Sequence, residues 1–160
     1  YSTSDMSGYD GFTDTSHVFV DMTVEDLAKA IDADSTIIVY FGFSSCPWCT
    51  EAVPILNSVA KAYNCLVGYI DTRKDKKWTK NTDLKDYDVL VEYLGDWLDL
   101  DDEGEKHLYV PDVFFIREGE VVFRHMGTVS GHDATERSMT GEECVELAEI
   151  YRQGFEELLK

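Results

Sequence analysis

Thr36-Ile37-Ile38-Val39-Tyr40-Phe41-Gly42-Phe43 is an uninterrupted β-branched and aromatic run without a charged side chain, the pattern of a strand buried on both faces of a parallel sheet. Beyond the Ser44-Ser45 turn, Ala52, Val53, Leu56, Val59, Ala60 and Tyr63 recur at helical spacing. Cys65 to Asp71 then reads as another buried strand. Strand, helix and strand make a parallel crossover unit, which is right-handed in nearly all proteins. Pro54 lies inside the helix and predicts a kink, because it lacks the N–H that the helix ladder needs.

The flanks extend this unit. His17 to Asp21 is a short extended segment, and Thr23 with Asp26 predicts a capped helix running through Ala33. Leu84, Tyr87, Val91, Leu94 and Leu98 predict an amphipathic helix ending in the acidic run Asp99 to Glu105. Val113 to Ile116 and Val121 to His125 flank Glu118-Gly119-Glu120, which predicts an antiparallel hairpin and hence a mixed sheet. Thr140 and Glu143 form a second capping box, followed by a stripe of Cys144, Ala148, Tyr151, Phe155 and Leu158. The expected architecture is α/β, a mixed central sheet with helices on both faces. Residues 1–16, rich in Ser, Thr, Asp and Gly, are expected to be a flexible leader that buries little surface. Residues 17–160 are expected to form one domain.

The chain carries 14 Lys and Arg against 32 Asp and Glu, a formal charge of -18. Such a surface repels nucleic-acid backbones and anionic lipid headgroups. No apolar run is long enough to cross a bilayer. Arg73, Lys74, Lys76, Lys77, Lys80 and Lys85 gather in one stretch, read as a solvated face able to meet an acidic partner.

The chemistry lies in Cys46-Pro47-Trp48-Cys49. Cys46 falls at the start of the helix, where unpaired N–H groups and the helix dipole favour a thiolate. Cys49 lies one turn further on, within reach of a mixed disulfide formed at Cys46. Pro47 suits the first helical position, and Trp48 offers an apolar flank to a bound chain. A pair of this spacing is also half of a zinc site, but no second chelating pair stands at zinc spacing, so redox chemistry is the better reading. Cys65 and Cys144 are read as inert core thiols, with a structural disulfide or a regulatory role as the alternative. His17, His107, His125 and His132 are scattered and read as ordinary histidines, and Trp78 and Trp97 as packing residues.

These landmarks resemble the thioredoxin superfamily over roughly His17 to the C-terminus. The strand ending in Phe41-Gly42-Phe43-Ser44-Ser45 before Cys46, Pro54 eight residues beyond it, and Pro111, Gly119 and Gly127 stand at the family's spacing. The resemblance implies a thioredoxin fold with a helical insertion of about residues 72–107 before a cis-proline at Pro111. It also implies thiol-disulfide exchange with Cys46 as nucleophile and Cys49 as resolving thiol. Trp48, Pro47, Val110 and Pro111 would line the substrate groove, Val110 offering its backbone. Protein or peptide disulfides and a redox partner are the implied partners, the chain acting as a monomer with no cofactor or metal beyond its dithiol. An accessory or binding role at the cell surface, with little turnover, is the alternative.

Two departures stand out. The family's buried Asp, six residues before the first cysteine, is Tyr40 here, and its partner Lys is absent. Proton transfer at Cys49 is left to water, Asp71, Glu51 or the tyrosine hydroxyl. The long insertion is similar to that of bacterial bacteriocin transport accessory proteins and related extracytoplasmic oxidoreductases. With the polar leader, the acidic surface and a first residue other than methionine, it leads us to expect an extracytoplasmic or cell-envelope location in a bacterium, the cytoplasm being the alternative.

Overall fold

The computed structural model describes residues 1–74 and 80–160. Trp78, Lys76 and Lys77 lie outside the described residues. The elements run β1 (Phe19–Asp21), α1 (Val24–Asp32), β2 (Ile37–Gly42), α2 (Pro47–Ala62), β3 (Val67–Asp71), α3 (Tyr87–Leu94), β4 (Asp99–Leu100), β5 (Lys106–His107), β6 (Asp112–Arg117), β7 (Glu120–Met126) and α4 (Gly141–Leu158). The main sheet has the order β1-β3-β2-β6-β7. β3 is parallel to β1 and β2, whereas β6 is antiparallel to β2 and β7.

The apolar run places β2 at the centre of the sheet, and its side chains alternate between two cores. Ile38 and Tyr40 face α2 and α4 with Val113 and Phe115, while Val39 and Phe41 face α1 and α3 with Phe114 and Ile116. Both faces of β2 are therefore dry, which is why its sequence shows no polar alternation. Both capping boxes form: Thr23 accepts from Asp26 N–H and Thr140 from Glu143 N–H, and each acidic partner accepts in return. At the β6–β7 turn, Glu118 and Gly119 have φ of 51° and 81°, the paired left-handed geometry of a tight hairpin. α2 continues through Pro54 to Ala62.

The structure corrects the reading of residues 1–16 as a leader that buries little. Met6 and Tyr9 are buried in the core between the sheet and α2. Ser4 N–H donates to Phe19 O, and Asp21 N–H donates to Ser2 O. Asp14 accepts from Asn57 Nδ2 at 2.9 Å and from Lys61 Nζ at 2.7 Å, pinning the segment to α2. Met6→Ala is accordingly expected to destabilise the domain by about 2–4 kcal/mol, the usual range for emptying a buried methionine site. Urea unfolding followed by tryptophan fluorescence measures this, and a leader without packing would show no change.

The insertion also differs from expectation. α3 stops at Leu94, a 3₁₀ turn spans Gly95–Trp97, and the start of the acidic run pairs with Lys106–His107 just beyond it as the β4–β5 hairpin. Asp101 explains the reversal, because its carboxylate accepts from the N–H groups of Glu103 and Glu105. Trp97, read as a packing residue, is 43% exposed. Cys65 and Cys144 are only half-buried rather than core residues; Cys65 precedes β3 and Cys144 lies in the first turn of α4. All four cysteines are free thiols in this structure.

Candidate active site

The site is assembled where β2 delivers the chain to α2. Cys46 is the N-cap of α2, and its Sγ accepts from the Cys49 backbone N–H at 3.4 Å. Pro47 takes the first helical position, where its missing N–H leaves no hydrogen bond unmade. Opposite lies the Val110–Pro111 peptide bond, which is cis, with Val110 O 3.9 Å from Cys46 Sγ. The structure thus gathers Cys46, Cys49, Val110 and Pro111 around one sulfur. Trp48 is half-buried against the same core and Pro47 is exposed beside it.

The two thiols are held in different environments. The Cys46 pKa falls to about 7, chiefly through its interaction with the Cys49 thiol, with the backbone N–H groups of Cys49 and Trp48 and the charge of Arg73 adding to this against the cost of burial. Cys49 has no exposed surface, and its burial and the neighbouring Cys46 push its pKa well up. At neutral pH, one sulfur is poised as a nucleophile and the other retains its proton. Iodoacetamide is therefore expected to label Cys46 first, with a rate that rises through a midpoint near pH 7. Mass spectrometry of quenched samples reads the position, and a midpoint above 8.5 would contradict this arrangement.

Arg73 and Asn81 carry no motif, and sequence reasoning missed their place in the site. Arg73, assigned to the solvated basic face, instead lies over the Phe43 ring at 4.4 Å, with Nε donating to Asn81 Oδ1. Asn81 is buried, accepts from Thr72 Oγ1, and donates through Nδ2 to Leu108 O. One amide therefore ties the end of β3 to the segment leading into Val110–Pro111. Glu51, one of the four proton routes left open by the sequence, is occupied elsewhere: its Oε1 accepts from Met139 N–H at 2.6 Å. Among the described residues, no group of three or more His, Cys, Asp or Glu side chains is gathered as a metal centre requires. No helix among them is long and apolar enough to cross a membrane.

No protein-family profile and no curated protein matches the chain. Solved structures do. A thioredoxin from Trypanosoma brucei brucei matches with a TM-score of 0.50 at 12% identity, covering 91% of this chain and 99% of that one. Thioredoxin O2 from Arabidopsis thaliana in its oxidised state matches with a TM-score of 0.46 at 15% identity, covering 78% of this chain and 91% of that one. The chain has the thioredoxin fold, with a mixed sheet between two helical layers.

Proposed function

We propose that this protein is a thiol-disulfide oxidoreductase that exchanges disulfides with protein or peptide substrates. The observation that carries the reading is the placement of the pair: Cys46 is the N-cap of α2 with its Sγ accepting from the Cys49 N–H and facing Val110 O, while Cys49, one turn on, has no exposed surface. Cys46 attacks a substrate disulfide through its thiolate, forming a mixed disulfide and expelling one substrate thiolate. Cys49 then attacks Cys46 Sγ, the Cys46–Cys49 disulfide forms, and the second substrate thiolate departs. Val110 O, beside Cys46 Sγ, offers an acceptor to the backbone of an extended substrate, while Trp48 and Pro47 form the apolar rim.

The same pair runs in either direction, according to its potential against that of its surroundings. Equilibration in dithiothreitol or glutathione buffers, with Trp48 fluorescence as reporter, tests the reading. A reversible two-electron transition is expected, and its absence would remove the enzymatic reading. A midpoint near about -270 mV makes the protein a reductant, and one near about -120 mV an oxidant.

A further inference from the structure

Resolution by Cys49 requires its proton to leave a site with no exposed surface. The sheet face beneath the active site holds three buried tyrosines. Tyr40 of β2 and Tyr69 of β3 are paired in register and stack with ring centroids 5.3 Å apart and planes 13° apart. A Cβ at Gly42 would fall on the Tyr40 hydroxyl, so the Tyr40 side chain lies along β2 toward the start of α2 and Cys49. Tyr9, from the N-terminal segment, completes the group: its hydroxyl is 2.9 Å from that of Tyr40 and 2.8 Å from that of Tyr69. Tyr69 and Asp71 alternate onto the same face of β3. Asp71 lines an open groove of about 850 Å³ together with Asp21, Tyr69 and Lys74.

Each phenol has a single proton to donate. Tyr9 donates to Tyr69, so the Tyr9–Tyr40 bond must be donated by Tyr40. That leaves a Tyr40 oxygen lone pair for the Cys49 thiol at one end and the Tyr69 proton for Asp71 at the other. We propose that Tyr40, Tyr9 and Tyr69 form a proton relay that carries the Cys49 proton to Asp71 and the groove. This inference rests on the thiol-disulfide reading above.

The step balances. The Cys49 S–H proton passes to Tyr40 as the Tyr40 proton passes to Tyr9, the Tyr9 proton to Tyr69 and the Tyr69 proton to Asp71, so the tyrosines end neutral with their bonds reversed. The Cys49 electron pair forms the Cys46–Cys49 bond while the bond from Cys46 to the substrate breaks, and the departing thiolate takes its proton from water. The reversed chain donates toward Cys49, consistent with the Tyr40 hydroxyl acting to lower that thiol's pKa. At the far end, burial raises the Asp71 carboxyl, making it a better acceptor.

The ionisable groups around Cys49 are Cys46, Tyr40, Tyr9, Tyr69 and, from α4, Tyr151. Around Asp71 they are Tyr69, Lys74 and Asp21. Tyr151 is the competing candidate. Its buried hydroxyl is the only buried side-chain N or O atom among the described residues without a hydrogen-bond partner, so it has no onward path for a proton.

The test is a stopped-flow reaction of the reduced protein with one equivalent of 5,5′-dithiobis(2-nitrobenzoate), in a Cys65→Ala, Cys144→Ala background. The first thionitrobenzoate released reports attack by Cys46 and the second reports resolution by Cys49. Tyr40→Phe and Tyr9→Phe are expected to leave the first phase within about twofold and to slow the second by about tenfold or more, as loss of a positioned proton acceptor does. In both variants, the second phase should climb about tenfold per pH unit as hydroxide takes over the deprotonation, whereas that of the parent stays nearly flat from pH 6 to 8. Tyr151→Phe should change neither phase. A second phase within twofold of the parent in both variants overturns the relay, as does slowing by Tyr40→Phe alone or by Tyr151→Phe. If the parent shows no first phase, the thiol-disulfide reading falls and the relay with it.

Discussion

Cys46→Ser is expected to abolish reduction of insulin disulfides, with a loss on the order of a thousandfold or more, because the substitution removes the proposed nucleophile. A serine hydroxyl at the same N-cap still accepts from the residue 49 N–H, so the helix start is preserved and the fold should be unaffected. Its oxygen does not ionise near pH 7, whereas Cys46 does so because Cys49, two backbone N–H groups and Arg73 favour the thiolate. Cys49→Ser separates the two halves of the cycle. It keeps Cys46 attack but loses resolution, so a mixed disulfide with the substrate should accumulate and survive non-reducing electrophoresis. A Cys46→Ser protein that retained even a tenth of the parent rate would place the chemistry on another thiol, Cys65 and Cys144 being the half-buried alternatives.

What was legible in the chain, and what was not, follows from the range of the interactions involved. β2, α1, α4 and the β6–β7 hairpin were legible because their patterns are local: a dry strand is apolar throughout, a capping box spans four residues, and a tight turn marks itself with glycine. The Cys46–Cys49 spacing was legible for the same reason. The role of residues 1–16 was not, since Met6 and Tyr9 stand alone among polar neighbours and no periodicity announces that they enter the core. Their burial is set by partners far along the chain, Tyr40 and Tyr69 above all. Asn81 was hidden in the same way, because a buried amide holding Thr72, Arg73 and Leu108 together leaves no periodic trace. The substitution of Tyr for Asp at position 40 was visible; that the hydroxyl network reaches it from the opening residues was not.

Arg124→Met should cost about 3 kcal/mol of stability at pH 9, in the range for stripping one partner from a buried ion pair. Asp112 follows Pro111 on β6, has no exposed surface, and is gripped by Arg124 through Nε and Nη2 at 2.8 and 2.7 Å. Burial raises the Asp112 carboxyl to about 7, with Arg124 holding it down against that push. In the unfolded chain the group returns to its ordinary value near 3.8. Between these two values the folded state binds the proton more readily, so this group's contribution to stability is complete below about pH 4 and declines as the pH rises toward 7. Removing Arg124 raises the folded value further and extends the decline to higher pH. The destabilisation should therefore be small at pH 5, where the carboxyl is neutral in both proteins, and should grow by about 1.4 kcal/mol for each pH unit above 7, reaching about 3 kcal/mol by pH 9. Urea unfolding of the parent and Arg124→Met at the two pH values isolates this difference, because the remaining carboxylates are common to both. An equal cost at pH 5 and pH 9 would mean that Arg124 acts through its stem packed on Phe114, whose ring centroid lies 5.7 Å from the guanidinium carbon, and not through its charge.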